Sequence, residues 1–319
     1  MSKMVGRVYG VLGIKSVMAN WNADFSGYPK SLGCGEVFYG SDKALKYAIK
    51  SVWNSEDDKK VLYIKSMKTL EKGGAVKLQP RSLKERYEQV FDVKDLKNQN
   101  NILEVLKNLF SATDVKNFGA TFAESGANIS IPGAVQITQG LNKYDGHYAE
   151  EEQILSPFRD ATDKGEAKDA MQTTIGTRII SNEAHYFYSF SINPTAYKSF
   201  EEMGATEGYT FEDYQCFKNT ALIAATALDT GSKTGCENEF GIFVETDDML
   251  FLSDLAQYVT FNKNEEGKDF IDITDLVKVL EDVSDRISSV EIYYNPYTTE
   301  LIGTMEKAKF INIFTRKEV

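Results

Sequence analysis

Residues 6–19 read GRVYGVLGIKSVMA, and this stretch decides the fold. Val8, Gly10, Leu12 and Ile14 alternate with Tyr9, Val11 and Gly13, so an extended chain here is apolar on both faces, with polar residues only at its ends. That pattern predicts a central strand covered on both sides. The chain then turns polar through Asn20-Trp21-Asn22-Ala23-Asp24-Phe25-Ser26-Gly27-Tyr28-Pro29-Lys30, a loop punctuated by Gly and Pro. A short strand over 36–39 and a helix over 41–53 follow, the helix opened by Ser41 as N-cap.

Further along, the pattern predicts a strand over 59–67 and helices over 82–90 and 100–110. Strands are expected over 118–122 and 129–137, with Pro132 near the start of the second, where a missing ladder donor is tolerated. Residues 141–174 break the regularity and read as a projecting loop or hairpin. An aromatic strand over 184–192, a buried helix over 210–228 and a strand over 239–245 come next, then an amphipathic helix over 273–287 and a strand over 289–294. Strands and helices are intermixed in an order compatible with antiparallel pairing, which makes the expected class α+β.

The chain has 319 residues, 42% of them hydrophobic and 26% charged, ordinary values for a soluble globular protein. No apolar run is long enough to cross a bilayer and no leader pattern opens the chain, so a cytoplasmic protein with no membrane partner is expected. Cys34, Cys216 and Cys236 are too scattered for a disulfide framework. With only His147 and His185, most zinc sites and a Ser/His/acid triad are improbable. Neither G-x-x-x-x-G-K-[ST] nor G-x-G-x-x-G occurs, which argues against a nucleotide enzyme, and no cofactor is expected.

The net charge of −11 speaks against a polyanion partner, but its distribution does not. Between Tyr28 and Val90 stand 13 Lys/Arg against 8 Asp/Glu; from Glu201 onward, 10 against 24. Positions 43, 46, 47 and 50 share one face of the 41–53 helix, bringing Lys43, Lys46 and Lys50 together near Lys30 on the preceding loop. Ammonium groups beside the free amides of a helix start suit a phosphate backbone. The same spacing also suits a solvated face.

Asn22-x-Asp24 and Ser41-x-Lys43-x-x-Lys46-x-x-x-Lys50 resemble the backbone subunit of CRISPR Cascade complexes, the Cas-seven family, and the type I-B branch most. Three further stretches are similar: Asp114-Val115-Lys116-Asn117-Phe118-Gly119-Ala120 with Ile131-Pro132-Gly133-Ala134-Val135-Gln136-Ile137; Gly176-Thr177-Arg178-Ile179-Ile180-Ser181 leading to Ile192-Asn193-Pro194; and Thr230-Gly231-Ser232-Lys233-Thr234-Gly235. The resemblance implies an α+β fold: a ferredoxin-like (RRM-type) antiparallel palm over 1–54, 116–140 and 184–319, a helical fingers insertion over 55–115, and a thumb hairpin over 141–183. It departs from the RRM signature, whose exposed aromatics are not recognisable here.

The resemblance also implies a partner set: CRISPR RNA, target DNA paired through that guide, copies of the same chain in a helical filament, and other Cascade subunits. Lys30, Lys43, Lys46 and Lys50 would neutralise guide phosphates, Ser41 would donate to the backbone, and Asn22 would bond the sugar–phosphate or fix the loop. Met171, Ile179 or Ile180 would wedge beside a displaced base, with plain packing as the other reading of each. No catalytic residue or metal is expected. Two alternatives stay open: a type III-like subunit cleaving target RNA with metal assistance at Asp24, against Asp24 merely shaping its loop; and a structural or small-molecule-binding α+β protein.

Overall fold

The computed structural model describes residues 2–98, 101–124, 126–159, 172–264 and 266–319. The apolar run forms β1 (Val8–Ala19), followed by the loop, the short strands β2 (Ser31–Leu32) and β3 (Val37–Gly40), and α1 (Asp42–Asn54). An insertion holds the hairpin β4 (Met67–Lys72) and β5 (Ala75–Pro80), then α2 (Leu83–Phe91), α3 (Ile102–Ser111) and α4 (Thr113–Phe118). After it come the hairpin β6 (Gly119–Glu124) and β7 (Ala127–Pro132), then β8 (Val135–Ile137), β9 (Gly140–Asn142), β10 (Ala149–Arg159) and β11 (Gln172–Ile192). The chain continues through α5 (Lys198–Glu202), α6 (Phe211–Ala221), β12 (Cys236–Thr246), β13 (Thr260–Lys263) and β14 (Asp269–Asp272). It closes with α7 (Thr274–Glu281), β15 (Ile287–Tyr294), β16 (Thr299–Ile302) and β17 (Ala308–Asn312).

The principal sheet runs β17-β15-β12-β1-β11-β9-β3-β2, with β8 and β10 also paired to β11. β1 is antiparallel to both neighbours, Leu12 lying opposite Tyr188 of β11 and Gly241 of β12. Its two apolar faces meet two cores. Val8, Leu12 and Ile14 pack with Leu45, Ala48, Ile49 and Trp53 of α1 and Phe217 of α6. Tyr9 and Val11 pack with Phe261, Ile271 and Leu276 of the C-terminal elements. The helix α1 forms because its buried residues recur at the 3.6 period and Ser41 caps its start, accepting from the Ala44 amide. Trp53 Nε1 donates to Thr220 Oγ1 at 2.9 Å and ties α1 to α6.

Several boundaries differ from the sequence expectation, each for a local reason. Residues 59–66 are irregular, because the Leu62 and Tyr63 amides are taken by the buried Asp114 carboxylate at 2.9 and 2.7 Å. The strand begins at Met67 instead, and Gly73 and Gly74, both with positive φ, form its turn. The run 129–137 breaks into β7 and β8 at Gly133, which packs directly on the Phe118 backbone. The helix expected over 210–228 stops at Ala221, where Asn238 captures the chain: its Nδ2 donates to Ala221 O and its Oδ1 accepts from the Ala225 amide, each at 2.8 Å. The helix expected over 273–287 stops at Glu281. The described part of the 141–174 excursion is chiefly the β10 arm of a hairpin with β11.

On the second core's side, His185 is fully buried and stacked on Phe261, their ring centroids 3.6 Å apart. Its Nδ1 lies 2.8 Å from Glu239 and its Nε2 3.1 Å from Glu183, which also holds Lys263 at 2.8 Å. Burial pulls the imidazole down, but the carboxylates of Glu239 and Glu183 outweigh it and raise His185 to about 8. Glu183 is held down to about 2, first by its hydrogen bond to His185. A pKa raised on folding stabilises fully below the unfolded value and loses that stability as pH rises through the folded one. Urea unfolding should therefore show stability falling by about 2 kcal/mol between roughly pH 6.5 and 8. His185→Asn should flatten that step; a step that survives the substitution would assign it to other groups.

Candidate nucleic-acid interface

The loop between β1 and β2 is built as a rigid piece. Trp21 is buried and its Nε1 donates to Tyr188 Oη at 2.6 Å. Asn20 Nδ2 donates to Gly27 O at 2.8 Å and Ile179 O at 3.2 Å, joining the loop's start to its far side and to β11. Lys233 Nζ donates to Asn20 O at 2.6 Å and Trp21 O at 2.8 Å. Burial lowers the pKa of that ammonium. Asn22 Oδ1 accepts the Ser41 amide at 2.7 Å, so the loop is bonded to the start of α1. Asp24 Oδ1 accepts from the amides of Ser26 and Tyr28 at 2.8 and 3.0 Å, an Asx-type turn completed by Gly27 at φ 90°. Phe25 stands at the tip, fully exposed.

The lysines of α1 do not act as one strip. Lys43 is exposed, and among the described residues neither it nor Lys30 has a hydrogen-bond or ion-pair partner for its ammonium. Lys46 pairs with Asp42 at 3.1 Å and lies 5.5 Å from the Phe118 ring centroid. Lys50 is turned inward and donates to Tyr63 O at 2.6 Å. Burial lowers its pKa, partly offset by Asp114. Lys46 and Lys50 line a cleft of about 640 Å³ with Asp114, Gly119, Gly133 and Gln136. Ser41 is largely covered and its Oγ is engaged as the cap. The loop and helix therefore offer Lys30 and Lys43 as free cations, with Lys46 tethered and Lys50 committed to the fold.

The three wedge candidates fare differently. Met171 lies outside the described residues. Ile180 is 1% exposed, which fits packing and leaves no surface to set beside a base. Ile179 is partly buried, with its carbonyl bonded by Asn20 and its side chain facing Gly27.

Residues 6–282 match the family described as CRISPR-associated protein Cas7. The chain belongs to that family. Among solved structures it is similar to a chain of a "CRISPR RNA-guided surveillance complex, pre-nicking", at 13% identity and a TM-score of 0.49, with 93% of this chain and 96% of that one covered. It is also similar to a chain of a "CRISPR RNA-guided surveillance complex", at 12% identity and a TM-score of 0.46, covering 97% and 93%. No curated protein matches.

For this Cas7-family chain, sequence reasoning missed Asn20, Lys233 and the Trp21–Tyr188 pair, which fasten the loop. Lys233 stood in the Thr230–Gly235 turn singled out above, but its acceptors lie on a segment far away in sequence, and no local pattern announces such a contact. Phe25 carried a signal that went unused: a lone large apolar residue in a polar turn. One prediction follows from how the loop is seated. A Cβ on Gly40 would run into Tyr188 Oη and the Trp21 indole, so Gly40→Ala should cost about 1–3 kcal/mol by overpacking. A thermal midpoint equal to wild type would mean that the Trp21–Tyr188 seat is loose.

Proposed function

We propose that the chain is a CRISPR RNA-binding backbone subunit of a type I, I-B-like, Cascade surveillance complex. Copies of it polymerise in a helical filament along the guide and present it, with other Cascade subunits, for pairing with invading DNA in the cytoplasm. The observation that carries this reading is membership of the Cas7 family over residues 6–282. The loop joined to α1 supports it, with half-buried Lys30 and exposed Lys43 lacking an ammonium partner among the described residues. In a system of this kind, base pairing reads the sequence and the protein holds the backbone.

We read the body as a ferredoxin-like palm. What supports this is the antiparallel order β12-β1-β11-β9, with α1 between β1 and β9 in the chain and α6 between β11 and β12. The insertion around α2 and α3 takes the place of the fingers, and the β10–β11 hairpin that of the thumb. The subunit is proposed to hold RNA without cutting it. Asp24 spends Oδ1 on two backbone amides, a loop-shaping use of the carboxylate.

Purified protein should carry RNA and release it at high salt. Lys30→Ala and Lys43→Ala should each reduce the log–log salt slope of single-stranded RNA binding by about 0.7, with no change in sequence preference. Protein that comes out free of RNA, and slopes that do not move, would end this reading. A separate assay addresses Asp24: assembled complex with Mg²⁺ should leave guide-matched RNA intact. Cleavage that disappears in Asp24→Ala would make the chain an endoribonuclease subunit instead.

A further inference from the structure

Single exposed apolar side chains are ordinary on protein surfaces; Phe25 is set apart by its mounting. Asp24 Oδ1 holds the amides of Ser26 and Tyr28, Gly27 N donates to Asp24 O at 3.2 Å, and Asp24 N donates to Tyr28 O at 2.8 Å. Ala23 and Pro29 form a bridge beneath the turn, and Asn20 grips Gly27 from below. A backbone so bonded has little freedom to lose when the ring it carries is bound. Its immediate chain neighbours Asp24 and Ser26 are exposed and polar, one of them charged, whereas a protein interface core is depleted of charge. A nucleobase needs only one aromatic face, and stacking of that kind is indifferent to which base is present. Phosphates on either side of such a base need cations. Lys30 lies on the same loop, and Lys43 lies across the Asn22–Ser41 hydrogen bond, both free.

Resting on the RNA-binding reading above, we infer that Phe25 is a stacking platform for one unpaired base of single-stranded RNA, with Lys30 and Lys43 taking the neighbouring phosphates. The contact is independent of base identity. It adds affinity through the base where the lysines add it through the backbone, so the two are separable.

The test uses the full chain and two probes: a short oligouridylate, and an abasic strand of the same length that keeps sugars and phosphates but has no bases. Phe25→Ala should weaken binding of the oligouridylate about 10-fold, and of an oligoadenylate similarly, while leaving the abasic strand and the salt slope unchanged. Phe25→Trp should keep wild-type affinity, and its indole emission should be quenched by the oligouridylate and not by the abasic strand. The two native tryptophans, Trp21 and Trp53, are buried and give a steady background. If Phe25→Ala binds every probe as wild type does, the stacking role is overturned and the RNA-binding reading stands. If wild type binds no probe, both fall. If Phe25→Ala changes the association state of RNA-free protein and nothing else, the ring is a protein contact and the inference is overturned.

Discussion

The burial of β1 on both faces is the constraint from which the rest of the structure follows. A strand between β11 and β12 with cores above and below has no register freedom, because a one-residue slip would exchange the residues of the two cores. The point where the strand ends is therefore fixed, and so is the point where the loop begins. Ala19 is still paired to Ser181, and the next two residues are already held by Lys233, Tyr188 and Ile179 O. Rigidity passes from the sheet into the loop with no hinge between them.

That continuity explains an otherwise costly arrangement. Lys233 is half-buried, and an ammonium drawn out of water without partners would be penalised. Here it satisfies the carbonyls of Asn20 and Trp21 at the strand's exit, so the acceptors of two buried residues and one partly desolvated cation answer one another. Asn22 and Asp24 use their side-chain oxygens in the same way, as acceptors for backbone amides. Polar residues that a sequence reader assigns to a ligand are here largely spent on holding the loop. What remains for a ligand are the groups with nothing to hold: Lys30, Lys43 and Phe25.

The sequence carried the architecture where it depends on local pattern. The two-sided strand, the Ser41 cap and the apolar stripe of α1 are all periodic or capping signals, and all appear within a residue or two of their expected limits. It failed where a distant side chain competes for backbone. Asp114 takes the amides of Leu62 and Tyr63 and erases an expected strand, and Asn238 ends a helix that composition would have continued to residue 228. The site was legible in outline only. Helical spacing grouped Lys43, Lys46 and Lys50, but which ammonium faces solvent is decided by Tyr63 and Asp42, and a helical wheel does not show that.

A chain carrying −11 is an ill match for a polyanion only where its distant charges act together, and some of its acids are held in local pairs. Glu183, Glu239 and Asp269 surround His185, Lys15 and Lys263; Asp247 holds Arg286; Glu291 holds Lys218. Four of the 24 late acids, Glu239, Asp247, Asp269 and Glu291, are held in these pairs, and the excess over the ten late cations remains. Exposed charges farther apart than the Debye length of about 8 Å at physiological salt are largely screened from one another. A phosphate at the loop responds to the cations beside it and only weakly to the sum over the chain. Net charge sets solubility and long-range steering; at the loop the nearby charges are those of Lys30, Lys43 and Asp24, whose Oδ1 is bonded to two backbone amides.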